Sequence, residues 1–177
     1  PSWFSLDKAR EAFESSYPFH PNVLSLFERK WQSLPRFQQT RGALRLLALW
    51  VSRLYIEGYK NNTKDILLSL GTAPLEDPVF RAAVFEQMGE NRLEAAVTTD
   101  IAGKSDSHAV RFDQDSIGVV KKLSLHKKSG TIIFFESNGG QTADKLCTIP
   151  EIKLNLADPD LDIGLVDTVL QDLVDGC

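Results

Sequence analysis

Sulfur is scarce in this chain: two cysteines, Cys147 and Cys177, and a single methionine among 177 residues. Two cysteines build no disulfide framework, so a reduced, cytoplasmic setting fits best. Long apolar runs are missing as well. None approaches the roughly 20 residues that a membrane-spanning helix requires, which argues against a membrane partner. The opening, "PSWFSLDKAR", has no basic stretch followed by an apolar one and does not read as a secretory signal. Without that signal the glycosylation acceptor at Asn61-Asn62-Thr63 is inert. Histidine is sparse too. His20, His108 and His126 share no i, i+4 spacing and have no cysteine near them, so a zinc site is not expected. There is no G-x-S-x-G elbow, and Cys147 has no histidine beside it to make it a nucleophile.

A phosphate-binding loop is also lacking. Gly103-Lys104-Ser105 supply the end of one, but Thr98 stands where its first glycine belongs. The following "DSHAVRFD" is a poor helix start, so the stretch reads as a polar loop. Basic residues are nearly absent from the last segment, where 141–177 holds Lys145 and Lys153 against eight acids. The net charge of -4 therefore divides unevenly. Residues 1–60 carry nine Lys/Arg against five acids, a net of +4, and 61–177 carry eleven against nineteen, a net of -8. The two ends do not suit a partner of one sign.

What is present is an ordinary globular composition, 42% hydrophobic and a quarter charged. Ser5 is placed to cap a helix from Leu6 to about Ser16. "SYPFHP" breaks it, and Pro21 opens a second helix with Val23, Phe27, Trp31 and Leu34 on one apolar face. His20, before Pro21, reads as a packed or capping residue. Thr40 is expected to cap a third helix that ends near Glu57, with Gly58 as its left-handed terminator. Its core stripe is Leu44, Leu47, Val51, Leu54 and Tyr55, widened by Ala43, Leu46 and Trp50, so that helix reads as buried on most sides. "DILLSL" (65–70) fits a strand or a buried helical turn. Asp77 caps, Pro78 opens and Gly89 closes the next helix, and a short one covers "NRLEAAVTTDI". A polar loop is expected near 102–116. "TIIFFES" is a strand by propensity alone, followed by an "NGGQT" loop. Helical patterns follow in "TIPEIKLNLA" and "DIGLVDTVLQDLVDGC", the second with Ile163, Val166, Val169, Leu170 and Leu173 on one face.

One constellation stands out. Arg36, Arg41 and Arg45 fall within ten residues, the last two a turn apart. The plain reading is a solvated basic face. Arg45, however, is set among Leu44, Leu46 and Leu47, where a planar guanidinium suits bidentate binding of phosphate oxygens. Gly42 would admit a second chain or a ligand close to the helix.

Gly42-Ala43-Leu44-Arg45 resembles the G-x-x-R second sensor of AAA-type ATPases. In that motif a lid helix sends an arginine over the nucleotide phosphates. Residues 16–55 contain "YPFHP", "SLPRFQQTRG" and "RLLA" in that order. They resemble the lid segment of a prokaryotic AAA-type ATPase family, domain of unknown function 499. The last third resembles that family's later region, a winged helix without its wing. The resemblance implies a mainly α fold with few short strands: a helical lid-like segment at 1–60, a helical connector at 61–125, and a winged-helix-like domain at 126–177. It implies that "TIIFFES" is a helix.

It also implies that Arg45 senses nucleotide, with Arg41 or Arg36 as a finger toward a neighbouring subunit and Gly42, Thr40 and His20 in support. ATP and Mg would belong to the parent protein, whose phosphate-binding loop lies upstream of Pro1, and a homo-oligomer is open. The chain, read as a piece of a longer protein, would not hydrolyse ATP alone. The setting implied is prokaryotic, in phage defence or mobile-element biology.

Two other readings remain. A winged helix would enter the DNA major groove with residues 162–175, which carry Asp162, Asp167, Asp172 and Asp175 and no basic residue. Nucleic acid would instead have to meet the basic residues 29–60. The third reading is a plain structural or interaction module with no nucleotide role, its acidic last third docking a basic partner.

Overall fold

The computed structural model describes residues 4–61, 67–103, 105–139 and 146–176, with the backbone alone at 59–61. Asn62 and Thr63 of the glycosylation acceptor, Asp65 and Ile66, most of the "NGGQT" loop and Cys177 lie outside the described residues. The chain is mainly α-helical. Among the described residues the one strand-like pairing is an isolated parallel bridge between Phe19 and Leu68.

A 3-10 turn, Leu6–Lys8, leads into α1 (Ala9–Ser16), and Ser5 precedes it without a side-chain cap bond. Tyr17 and His20, each before a proline, are extended as expected. α2 (Pro21–Arg29) is capped by His20, whose Nδ1 accepts the Asn22 N–H at 3.1 Å. It buries Val23 and Phe27, and Trp31 follows in a 3-10 turn, Trp31–Ser33.

α3 (Gln39–Asn61) departs from expectation at both ends. It begins before Thr40, because the Gln38 carbonyl already accepts from the Arg41 and Gly42 N–H groups. Thr40 is therefore a first-turn residue and not the cap. Gly58 lies inside the helix. The helix is also turned about its axis relative to the expected stripe. Leu46 and Trp50 are buried, whereas Leu44, Val51 and Tyr55 are 61%, 41% and 74% exposed. Trp50 decides this. It packs against Phe19, Phe80 and Phe135 with ring centroids 5.7–6.3 Å apart, burying more apolar area than any leucine could.

Leu70–Thr72 is a 3-10 turn that closes the segment begun by Leu68. α4 (Pro78–Met88) runs antiparallel to α3. Its Asp77 cap accepts from Phe80 N–H at 2.9 Å, and Gly89 closes it at φ +70°. Asn91–Leu93 and α5 (Glu94–Ala96) then widen into a π-helical turn, Val97–Ala102. Thr98 Oγ1 donates to the Glu94 carbonyl at 2.8 Å, occupying an acceptor that α-helical pairing would use.

The expected loop at 102–116 is instead largely α6 (His108–Asp115). Its polar composition hides its purpose. Asp113 is buried and accepts the His126 and Lys127 N–H groups at 3.0 Å each, capping the next long helix from outside it. α7 (Gly118–Leu123) precedes α8 (Leu125–Glu136), which contains the "TIIFFES" stretch as helix. Phe135 lies stacked between Trp31 and Trp50, so burial overrides strand propensity there. α9 (Ile149–Leu156) opens with a Thr148/Glu151 capping box, and α10 (Leu165–Gly176) buries Val166 and Val169. Buried side chains from 1–60, 61–125 and 126–177 join one hydrophobic cluster.

Candidate functional site

The outward side of α3 is a mixed face. Arg41, Leu44, Arg45, Ala48, Val51, Ser52 and Tyr55 are exposed at spacings of three and four along it. On α4 the exposed residues are Pro78, Val79, Ala82 and Glu86. The two faces meet where Arg45 Nη1 donates to Glu86 Oε2 at 2.6 Å. Both side chains are about half exposed, so the pair contributes only about 0–1 kcal/mol and is exchangeable.

Gly42 faces the other way. A Cβ there would collide with the Gln87 carboxamide, a buried side chain that crosses α3 to accept the Gln38 N–H at 3.0 Å. The close approach that this glycine permits is made by α4 of the same chain. Arg36 lies across Gly89, just beyond α4. Arg36 and Arg45 thus flank the last turn of α4, its electronegative end. Arg36 and Arg41 are exposed and have no ion-pair partner among the described residues. The structure therefore gathers Arg36, Arg41, Gly42 and Arg45 at one end of the α3–α4 pair, with Thr40 in the same first turn. It does not bring His20 there. His20 is buried at the start of α2, and burial, opposed in part by the Leu154 backbone, pushes its pKa down to about 4.

Other basic residues of 29–60 are committed inside the fold. Lys30 is buried, with Nζ 2.8 Å from Glu136 Oε2 and donating to the Glu136 carbonyl at 2.6 Å. Asn22 Nδ2 donates to Glu136 Oε1, and Arg29 lies 3.5 Å from Glu136 and 3.7 Å from Glu151. This buried network ties α2, α8 and α9 together. Nothing in the spacing of these residues announces it, since its bases at the end of α2 and its acids on α8 and α9 are more than 100 positions apart. Cys147 lies beside it. Burial and the charges of Glu136 and Glu151 push its thiol up to about 12, so it is not a nucleophile at neutral pH. Arg53 pairs with Glu57 at 3.0 Å and lies 3.8 Å from Asp77.

The acids of α10 also have internal uses. Asp167 pairs with Lys153 of α9 at 2.8 Å. Asp172 lies 3.2 Å from Nε2 of the buried His126, whose Nδ1 is 3.0 Å from Asp113. Burial depresses the His126 pKa, but hydrogen bonds and charge from Asp113 and Asp172 outweigh it and leave the value raised. Two of its three aspartates thus hold α10 against its neighbours.

The arginine face suits the oxygens of a phosphate. No group of three metal-ligating side chains occurs among the described residues. No protein-family model, curated protein or solved structure matches the chain. Among the described residues no helix is long and apolar enough to cross a membrane.

Proposed function

We propose that this chain is the lid and winged-helix-like part of an AAA-type ATPase, working in the cytoplasm and docking on an ATPase core through the outward face of α3. The observation that carries this reading is the placement of Arg45. It stands half exposed among Leu44, Ala48 and Val51, held by one surface ion pair to Glu86. When the face closes on a core loaded with ATP and Mg, Arg45 exchanges Glu86 for a phosphate oxygen. Charge-assisted, bidentate bonds of that kind are stronger than a solvated carboxylate pair. Loss of the γ-phosphate returns Arg45 to Glu86, and the lid moves as a rigid helical body.

The test is ATP turnover by the full-length protein beside its Arg45→Ala variant, with folding verified. A sensor role predicts a fall of about tenfold or more, equal to about 1.4 kcal/mol, with nucleotide still bound. Unchanged turnover would reduce Arg45 to a surface charge. The second reading, a docking module without a nucleotide role, is favoured by the apolar part of the same face. It predicts that Tyr55→Ser weakens partner capture while Arg45→Ala does not.

A further inference from the structure

A cavity of about 420 Å³ opens between the π-helical turn Val97–Ala102, α8 and α10. Its volume lies within the range of small-molecule sites. Val97, Ile101, Ile133, Phe134 and Leu173 make its wall apolar, and Asp100 is its one charged residue. The turn explains how the carboxylate comes to be there. Thr98 occupies the Glu94 carbonyl and widens the turn, and Ser107 Oγ ties down the Ile101 carbonyl at 3.1 Å. Asp100 and Ile101 then line the same hollow as Val97. Wide turns of this kind are rare and concentrate at functional sites. The Asp100 carboxylate, half-buried beside the apolar wall, has no hydrogen-bond or ion-pair partner among the described residues.

We propose that this cavity binds a small organic ammonium compound. Its cationic head would lie against Asp100 and its apolar tail against Ile133 and Phe134. A carboxylate with no internal partner selects a cation over an anion or a neutral group, and the apolar wall selects a tail over a bare metal ion. This site is separate from the arginine face and does not depend on the ATPase reading.

The experiment is calorimetric titration of the protein with hexylammonium, butylammonium and hexanol, repeated on Asp100→Asn with its helicity checked by circular dichroism. The expected result is saturable, equimolar hexylammonium binding. Butylammonium should bind about fifteenfold more weakly, since each of its two missing methylenes contributes roughly a fourfold factor. Asp100→Asn should weaken hexylammonium at least fivefold and leave hexanol within twofold. Because Asp100 holds no other group in place, this variant should fold as the parent does. Absence of saturable binding, or equal hexylammonium affinity in parent and variant, would overturn the proposal. Amide shift changes on adding hexylammonium should centre on Val97–Ala102 and Ile133–Phe134, and shifts confined elsewhere would overturn it as well.

Discussion

Gly42→Ala tests how the α3–α4 pair is built. At an interior helical position this change ordinarily stabilises by about 1 kcal/mol. Here the added methyl would meet the Gln87 carboxamide, whose Oε1 accepts the Gln38 N–H at 3.0 Å. Gln87 is 2% exposed, so a displaced amide oxygen finds no water in compensation. Leaving such a group unpaired costs about 1–3 kcal/mol, which exceeds the propensity gain. The net expectation is a loss of about 1 kcal/mol, or about 2–4 °C in Tm for a chain of this size. Urea unfolding followed by tryptophan fluorescence reads it directly, since Trp31 and Trp50 are buried. The full cycle adds Gln87→Ala and the double variant. In the Gln87→Ala background the methyl makes an ordinary contact with Gln38 Cβ at 3.5 Å, and Gly42→Ala should turn stabilising by about 1 kcal/mol. If Gly42→Ala stabilises both backgrounds alike, Gln87 is not the reason for the glycine, and the space beside it would again be open to a ligand.

Lys30→Met should cost about 3–5 kcal/mol in the same unfolding assay, because it removes the buried cation paired with Glu136 Oε2, and Lys30→Met with Glu136→Leu should recover part of that loss. His20 is neutral in the fold, so its contribution is complete above pH 6.5 and lost as pH falls toward about 4, by about 3 kcal/mol in all. His20→Asn, which keeps a capping side chain, should flatten that acid limb. His126 behaves oppositely. Its raised pKa gives a contribution fully present below pH 6.5 and lost as pH rises through the folded value, and Asp172→Asn should reduce this alkaline dependence.

Local rules were readable where a residue serves its own element. Asp77, Pro78 and Gly89 bound α4 as their types dictate, and His20 caps α2. The helical state of "TIIFFES" is at odds with its β-propensity, and the stacking of Phe135 between two tryptophans shows why. What stayed hidden depends on partners distant in sequence. Asp113 caps a helix that begins 12 residues later, so α6 looks like a polar loop until α8 is in place. Periodicity marked α3 as rich in leucine on most sides, but the orientation followed Trp50 and the Gly42–Gln87 contact. The grouping of Arg36, Arg41 and Arg45 follows from nearness in sequence. The pairing of Arg45 with Glu86, 41 positions on, does not.

The residues that periodicity would bury and the fold leaves outside, Leu44, Val51 and Tyr55, share their face with Arg41 and Arg45. A body covering that face would gain from burying the apolar positions and would also have to desolvate two guanidinium groups. Glu86 can neutralise one of them. Arg41 has no counterpart among the described residues, so the covered face would retain one uncompensated positive charge. A polyphosphate brought by the covering body removes that deficit, because it carries charge enough for both arginines. In the lid reading, docking and nucleotide state are therefore coupled by charge balance alone. It follows that Arg41→Ala should ease docking without nucleotide and blunt its dependence on ATP, whereas Glu86→Gln should make docking more dependent on it.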